Sequence, residues 1–510
     1  MNGAAALLGT LSANGVTTCF ANPGTTEMHL VAAFEDSGVH PVLCLFEGVA
    51  TGAADGYARV TGEPAATLLH LGPGLGNGWA NLHNAARAHS PVLNLVGDHA
   101  TRHLGLHSML ESDLRGLAGS LGGWFDRVDA AAQAPALAMA AVAATLQWPH
   151  SIATLALAAD AMWTEAGAGP WPVFSAPACP EPDEHALHDA CDALGPRSAL
   201  VLGGRLSAGA LRAAWRVSRA TGSRVLLETM PAFVARGAGV PAPERIIYVP
   251  EFALAQLSEL EHVVLVGAPE PVAAFAYPNV PSRLLPEGCT RHSLTRPGVD
   301  AEPALRALAD CLGANERFGA DSLELTSPSG ALTAETLALA VAATLPEDAI
   351  IVDESNTSGI HLERALASAA RHHWTGLSGA AIGYGLPTAV GAGVASGGRV
   401  LALESDGSML YTAQALWTMA REGLDVTVVA LANGRYAVLD MERRRLGAPD
   451  AESERLFDLG RPAMDLAGLA RSLGVRASVA TTAEELVAAL SASYATPGPS
   501  FIEARLPSAI

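Results

Sequence analysis

The sequence predicts an α/β protein of three units in series, each a mostly parallel sheet flanked by helices. Three observations lead there. Short apolar runs alternate with Ala- and Leu-rich helical stretches along the whole chain, the pattern that helix-covered parallel sheets produce. At 510 residues the chain exceeds what one hydrophobic core organises, so about three domains of ordinary size are expected. Two breaks interrupt the alternation: residues 167–182 hold Pro170, Pro172, Pro177, Pro180 and Pro182, and residues 313–330 are polar and without regular pattern. Domains are therefore expected at 1–170, 185–315 and 330–510.

The apolar runs predict strands at 41–46, 67–71 and 91–96 in the first unit. The second unit is expected to hold strands at 199–202, 225–227 and 263–266, and the third at 350–352, 400–403 and 426–430. Residues 134–146 are Ala-rich and too short to span a bilayer, and no basic region precedes the apolar N-terminal stretch. A cytoplasmic protein without a membrane anchor is expected.

Composition removes several function classes. A net charge of -20 opposes binding to nucleic acid or to an anionic membrane surface. The sequence contains no lysine, so every cationic side chain other than histidine is one of 31 arginines. A pyridoxal aldimine, a Schiff-base aldolase and a P-loop each need a lysine amine and are excluded. The six cysteines form no C-x-x-C pair and no zinc-ligand spacing. The segment 72–77 is Gly-rich, but G-x-G-x-x-G is not met from Gly72 or Gly74.

Loops after strands carry the remaining signals. The run 400–403 ends in Glu404-Ser405-Asp406-Gly407-Ser408, and the run 426–430 leads to Ala432-Asn433-Gly434-Arg435-Tyr436. A carboxylate, an amide oxygen and a backbone carbonyl at the carboxyl ends of parallel strands suit a hard cation such as Mg2+. In the first unit, Asn22-Pro23-Gly24-Thr25-Thr26-Glu27 is a turn-rich loop, and the run 41–46 leads into Glu47, which opens a small-residue helix reaching Tyr57. An acid delivered by a fully apolar strand is held away from solvent and ready to share a proton. Each feature alone has a plainer reading: Asp-Gly and Asn-Gly turns, a helix-terminal acid, a core histidine at His70, a helix cap at Asn356, ordinary core contacts.

Together, these motifs resemble the thiamine-diphosphate (ThDP) decarboxylase and acetolactate synthase superfamily, whose metal motif runs from Gly-Asp-Gly to Asn-Asn across about thirty residues. Ser405 stands for its first glycine and Ala432 for its first asparagine. The resemblance implies Asp406, Asn433 and the Arg435 carbonyl as Mg2+ ligands, with Ser405, Gly407, Ser408, Tyr436, Asn356 and Thr357 near the diphosphate. It implies Asn22, Pro23, Gly24 and Glu47 at the cofactor's pyrimidine end, with Glu47 driving loss of the thiazolium C2 proton. It places the Ala380 carbonyl against the aminopyrimidine and makes Ile382 the wedge that bends the cofactor.

The likeness is greatest to benzoylformate decarboxylases, which also carry a histidine 23 positions after the glutamate. By that likeness His70 and Thr25 flank the substrate, Asn77 approaches the cofactor of a partner subunit, and Met109, Leu110, Val438, Leu439 and Glu442 surround the substrate. Those enzymes have a second catalytic histidine in the central domain; residues 268–281 hold none, with Phe275 and Tyr277 there instead, and His103 or His107 is a candidate replacement. The resemblance implies a homodimer or homotetramer with sites at subunit interfaces, acting on a small 2-oxo acid or aldehyde. Decarboxylation with possible carboligation is the leading expectation. An acetolactate-synthase-type carboligase, a Rossmann-like flavin or NAD oxidoreductase, and a non-catalytic ThDP-binding protein are the alternatives.

Overall fold

The computed structural model describes residues 1–315, 318–319, 326–447 and 452–508. Part of the predicted second break, 316–317 and 320–325, lies outside the described residues, as do 448–451 and 509–510 of the predicted third domain. Among the described residues no helix is long and apolar enough to cross a membrane.

The first sheet comprises β1 (Thr18–Asn22), β2 (His40–Leu43), β3 (Ala65–Leu69), β4 (Val92–Asp98), β5 (Trp124–Val128) and β6 (Ile152–Ala158), all parallel, in the order β2-β1-β3-β4-β6-β5. Next along the chain come β7 (Ser198–Leu202), β8 (Arg205–Leu206), β9 (Arg224–Leu227), β10 (Phe233–Arg236), β11 (Glu244–Arg245), β12 (His262–Val266) and β13 (Thr290–Thr295). Five of these form a parallel sheet ordered β11-β9-β7-β12-β13. The third sheet adds β14 (Ala349–Glu354), β15 (His372–Thr375), β16 (Val400–Ser405), β17 (Val426–Ala432), β18 (Arg476–Ala480) and β19 (Ser500–Arg505), in the order β18-β19-β17-β16-β14-β15-β10-β8. Among the named strands of the described residues, only β10 with β15 pairs antiparallel. Thus β8 and β10 leave the middle stretch of sequence to pair with the last sheet.

All three sheets share one device. The chain lays a strand, places the next to one side, then returns to the other side of the first: β1 between β2 and β3, β7 between β9 and β12, β14 between β15 and β16. Each reversal opens a crevice beyond the strands' carboxyl ends, where such folds bind ligands. In the first sheet it lies beyond Asn22 and Leu69, in the third beyond Glu354 and Ser405.

Strands buried on both faces, such as β3, β4 and β6, are continuous apolar runs for that reason. The run predicted at 41–46 is corrected: β2 is an edge strand that stops at Leu43, and Phe46 caps the helix Glu47–Thr61. The apolar character of Leu45 marks a loop residue, and it stands exposed. Glu47 is buried instead by the helix Leu71–Arg87. The helix Glu47–Thr61, rich in Gly, Ala and Thr, packs closely on Gly385–Ser396. Small residues on both helices let the first and third units share one hydrophobic core.

At that seam Arg59 is fully buried. It pairs with Asp55 at 2.8 Å and donates to the carbonyls of Ala232 at 3.2 Å and Gly376 at 2.7 Å. One guanidinium therefore ties together segments of all three units.

Candidate active site

At the first crevice, β1 ends at Asn22 and the chain turns through Pro23, Gly24 and the exposed Thr25 into the turn Thr25–Glu27. His70, leaving β3, is the N-cap of Leu71–Arg87. Its Nδ1 lies 2.8 Å from Oε2 of the fully buried Glu27, a carboxylate oxygen that also accepts from Gly24 N at 2.7 Å. Two glycines make room: a Cβ on Gly24 would sit 2.1 Å from His70 Nδ1, and one on Gly97 would sit 1.6 Å from Glu27 Oε1. Leu71, directly after His70, is held at φ 51, a strained value that structures retain where the surroundings over-determine it.

Glu47 is 6% exposed, and Asn77 Nδ2 donates to its Oε2 at 3.0 Å. Within one chain, Asn77 thus orients Glu47.

At the second crevice, the loops after β14 and β16 are bonded together. Asn356 Nδ2 donates to Ser405 Oγ at 2.5 Å and to Ser408 Oγ at 3.1 Å, and Ser405 Oγ donates to the Glu354 carbonyl at 3.0 Å. Asn356 takes φ 49. Thr357 follows it in the turn Asn356–Gly359. Gly407 lies under the Tyr436 ring, where a Cβ would meet Tyr436 Cε1 at 2.4 Å.

The loop after β17 closes against this pair. Gly434 N donates to Asp406 Oδ2 at 2.7 Å, and Arg435 N donates to Asn433 Oδ1 at 2.9 Å. Asp406 and Asn433 are both buried, and burial raises the Asp406 carboxyl above its usual range. Asp406 and the loop 433–435 are thus brought together, and a carboxylate beside an amide oxygen, as in the predicted metal set, is a donor chemistry that suits a hard cation. The set has a single carboxylate; among the described residues no cluster of three or more His, Cys, Asp or Glu could hold a metal.

The segment with Ala380 and Ile382 is suspended between units. Asn84 accepts from Ala381 N at 3.1 Å and donates to the Ala381 carbonyl at 2.8 Å, while Asn81 donates to the Gly383 carbonyl at 3.2 Å. From the other side, buried Glu354 accepts from the N–H groups of Gly383, Tyr384 and Gly385 at 2.7, 2.9 and 2.6 Å. Burial pushes the Glu354 carboxyl up to about 7. Ala380 sits at φ 58, and Ile382 is half-buried against the shared core.

The proposed substrate lining is open in the single chain. Met109 is 100% exposed, Leu110 and Leu439 are exposed, and Val438 and Glu442 are half-buried on the helix Ala437–Arg445. His103 and His107 are exposed as well. Tyr277 reaches that helix: Arg445 stacks over its ring at 3.6 Å and pairs with Glu251. Sequence reasoning passed over Glu27, Glu354, Asn81 and Asn84. An acid three residues after Gly24, another closing an apolar strand, and two asparagines three apart on one helix were the available signals.

Comparison with known proteins agrees with this geometry. The model of the thiamine pyrophosphate enzyme N-terminal TPP binding domain matches residues 1–118, and that of the C-terminal TPP binding domain matches residues 358–504. A Mycobacterium tuberculosis protein, provisionally named an acetolactate synthase large subunit, is 49% identical over 100% of both chains. Benzoylformate decarboxylase of Pseudomonas aeruginosa is 30% identical, over 97% of this chain and 96% of its own. Among solved structures, the thiamine diphosphate-dependent 4-hydroxybenzoylformate decarboxylase of Rhodococcus jostii RHA1 superposes with a TM-score of 0.82 at 26% identity, covering 99% of each chain. Two crevices bearing the motif residues, both cofactor-domain matches and full-length relatives lead to one conclusion: the chain belongs to the thiamine pyrophosphate enzyme family, in its acetolactate synthase and decarboxylase branch.

Proposed function

We propose that the chain is a cytoplasmic ThDP- and Mg2+-dependent decarboxylase of a benzoylformate-like 2-oxo acid, able to pass the retained fragment to a second carbonyl. The observation that carries this reading is the Glu27–His70 pair, a histidine positioned by a buried carboxylate at 2.8 Å in the first crevice. Decarboxylation must end in protonation of carbon, and an imidazole held in place by a carboxyl group is a suitable proton carrier for that step.

When bound, ThDP would supply a carbon nucleophile and an electron sink for loss of carbon dioxide. In this reading Asp406, Asn433 and the Arg435 carbonyl hold Mg2+. Ser405, Gly407, Ser408, Asn356, Thr357 and Tyr436 receive the diphosphate. Asn22, Pro23, Gly24 and the Ala380 carbonyl meet the pyrimidine, Ile382 supports the bent cofactor, and Glu47 moves the proton that activates it. Asn77 orients Glu47, His70 moves the substrate's proton, and Thr25 flanks it.

The domains at 1–170, 185–315 and 330–510 act as pyrimidine-binding, central and diphosphate-binding units. A second copy in a homodimer or homotetramer covers Met109, Leu110, Val438, Leu439 and Glu442 and completes the pocket. The 49% identity to the provisionally named synthase supports a second reading, in which carboligation is the main outcome.

A panel of 2-oxo acids, incubated with ThDP with and without Mg2+, separates the readings. Carbon dioxide and an aldehyde in equal amounts, with aryl substrates preferred and Mg2+ required, is the expected result. Carbon dioxide with a hydroxyketone or acetohydroxy acid as the main product would transfer the assignment to the ligase. Bound cofactor with no 2-oxo acid consumed would refute both.

A further inference from the structure

Away from the cofactor crevices, two thiols face each other in the stretch of chain that builds the second sheet. The helix Glu184–Ala193 precedes β7, and the helix Ala301–Cys311 follows β13. An aspartate starts each: Asp183 accepts from His185 N at 3.0 Å and from Ala186 N at 3.1 Å, and Asp300 accepts from Glu302 N at 3.0 Å. Caps of this kind fix where a helix begins, and so which residues its last turn presents. Ala190 and Ala193 of the first helix share one apolar cluster with Leu305, Leu308 and Ala309 of the second. That packing brings the two last turns together, with Cys191 in one and Cys311 in the other. Their side chains are hydrogen-bonded, thiol to thiol.

Access separates this pair from the other cysteines. Cys311 is exposed and Cys191 half-buried, whereas Cys19 and Cys44 are fully buried in the first unit. Cys179 Sγ contacts the carbonyls of Pro180 and Asp300, and Cys289 Sγ that of Thr290. Burial, then the neighbouring Cys311, pushes the Cys191 thiol up to about 12. Cys191 therefore keeps its proton near neutral pH, and Cys311 is the sulfur that an oxidant in solution meets first.

We propose that Cys191 and Cys311 form a modification site, a dithiol that hydrogen peroxide converts to a disulfide. In the first step the Cys311 S–H bond breaks and its sulfur takes a hydroxyl from the peroxide, giving a sulfenic acid and one water. Cys191 sulfur then attacks that sulfur: the S–O bond breaks, the S–S bond forms, and the hydroxyl leaves with the Cys191 proton as a second water. Two electrons pass from the two sulfurs to one peroxide. Contact makes the second step intramolecular, which offsets the small thiolate fraction of Cys191. The new bond closes a loop that contains β7 through β13, and closing a long loop restricts the unfolded chain most.

The test treats the ThDP-loaded enzyme with hydrogen peroxide and follows it by non-reducing digestion, mass spectrometry and thermal melting. The expected result is a peptide pair joined through Cys191 and Cys311, each sulfur lighter by one hydrogen, with a melting temperature raised by about 3–8 °C. A reductant should reverse both changes. Cys311→Ser should abolish the joined peptide and the rise in melting temperature. The main measurement is made on the unaltered chain, so it does not depend on a variant folding. Cys311 carried to a sulfinic or sulfonic acid with Cys191 still reduced overturns the proposal, as does a joined peptide in a chain whose melting is unchanged.

Discussion

At the scale of single residues, Glu27 accounts for the posture of His70. The carboxylate is fully buried, accepts from Gly24 N and the Thr26 hydroxyl, and lies against His70 Nδ1. It touches no substrate in this reading and acts through the histidine, so it is a positioning residue. Glu27→Gln keeps the shape and removes the charge. We expect kcat to fall about 100-fold, within the usual range of general acid–base effects, with KM and melting temperature little changed. A parallel loss of stability, or unchanged kcat, would leave Glu27 a structural acid. His70 was legible from its spacing after Glu47. Its partner was not, because the 43 positions separating Glu27 from His70 are bridged by the pairing of β1 with β3.

At the scale of elements, the loop with Ile382 is held at both ends by groups outside it: Asn81 and Asn84 from one helix, Glu354 from β14. Such preorganisation is worth most in the reacting complex. Ile382→Ala should lower turnover more than stability, and since a core truncation alone costs about 2–5 kcal/mol, melting and kinetics must be read together. Lost stability with normal turnover would reduce Ile382 to a core residue. The apolar runs revealed β3, β4, β7, β12, β14, β16 and β17, whose residues are almost all buried, but β1 and β6, interior strands of the first sheet, were missed. β15, His372–Thr375, carries two histidines, and β19, Ser500–Arg505, mixes three polar with three apolar residues, so neither announced itself. The Gly-rich segment 72–77 gave no helical signal, yet it opens the helix Leu71–Arg87, whose close packing on Glu47 needs small residues.

At the scale of the molecule, Arg59 holds the three units in register. Removing it strands Asp55, also fully buried, with Ser90 as a remaining partner. Arg59→Leu should therefore cost about 3–5 kcal/mol in denaturant unfolding, and the double variant Arg59→Leu/Asp55→Leu should recover much of it. A cost below about 1 kcal/mol would mean water already screens the pair. The three-unit α/β architecture was readable from alternation and length. That β8 and β10 join the last sheet was not, since strands of two and four residues carry little pattern and their partners lie far along the chain. The central claim is that the two crevices form one ThDP site activated by Glu47. It is tested most directly by hydrogen–deuterium exchange at the C2 carbon of ThDP bound to Glu47→Gln. The account predicts retained cofactor and exchange slowed by about 10²–10⁴-fold; exchange at the parent rate with cofactor bound would contradict it.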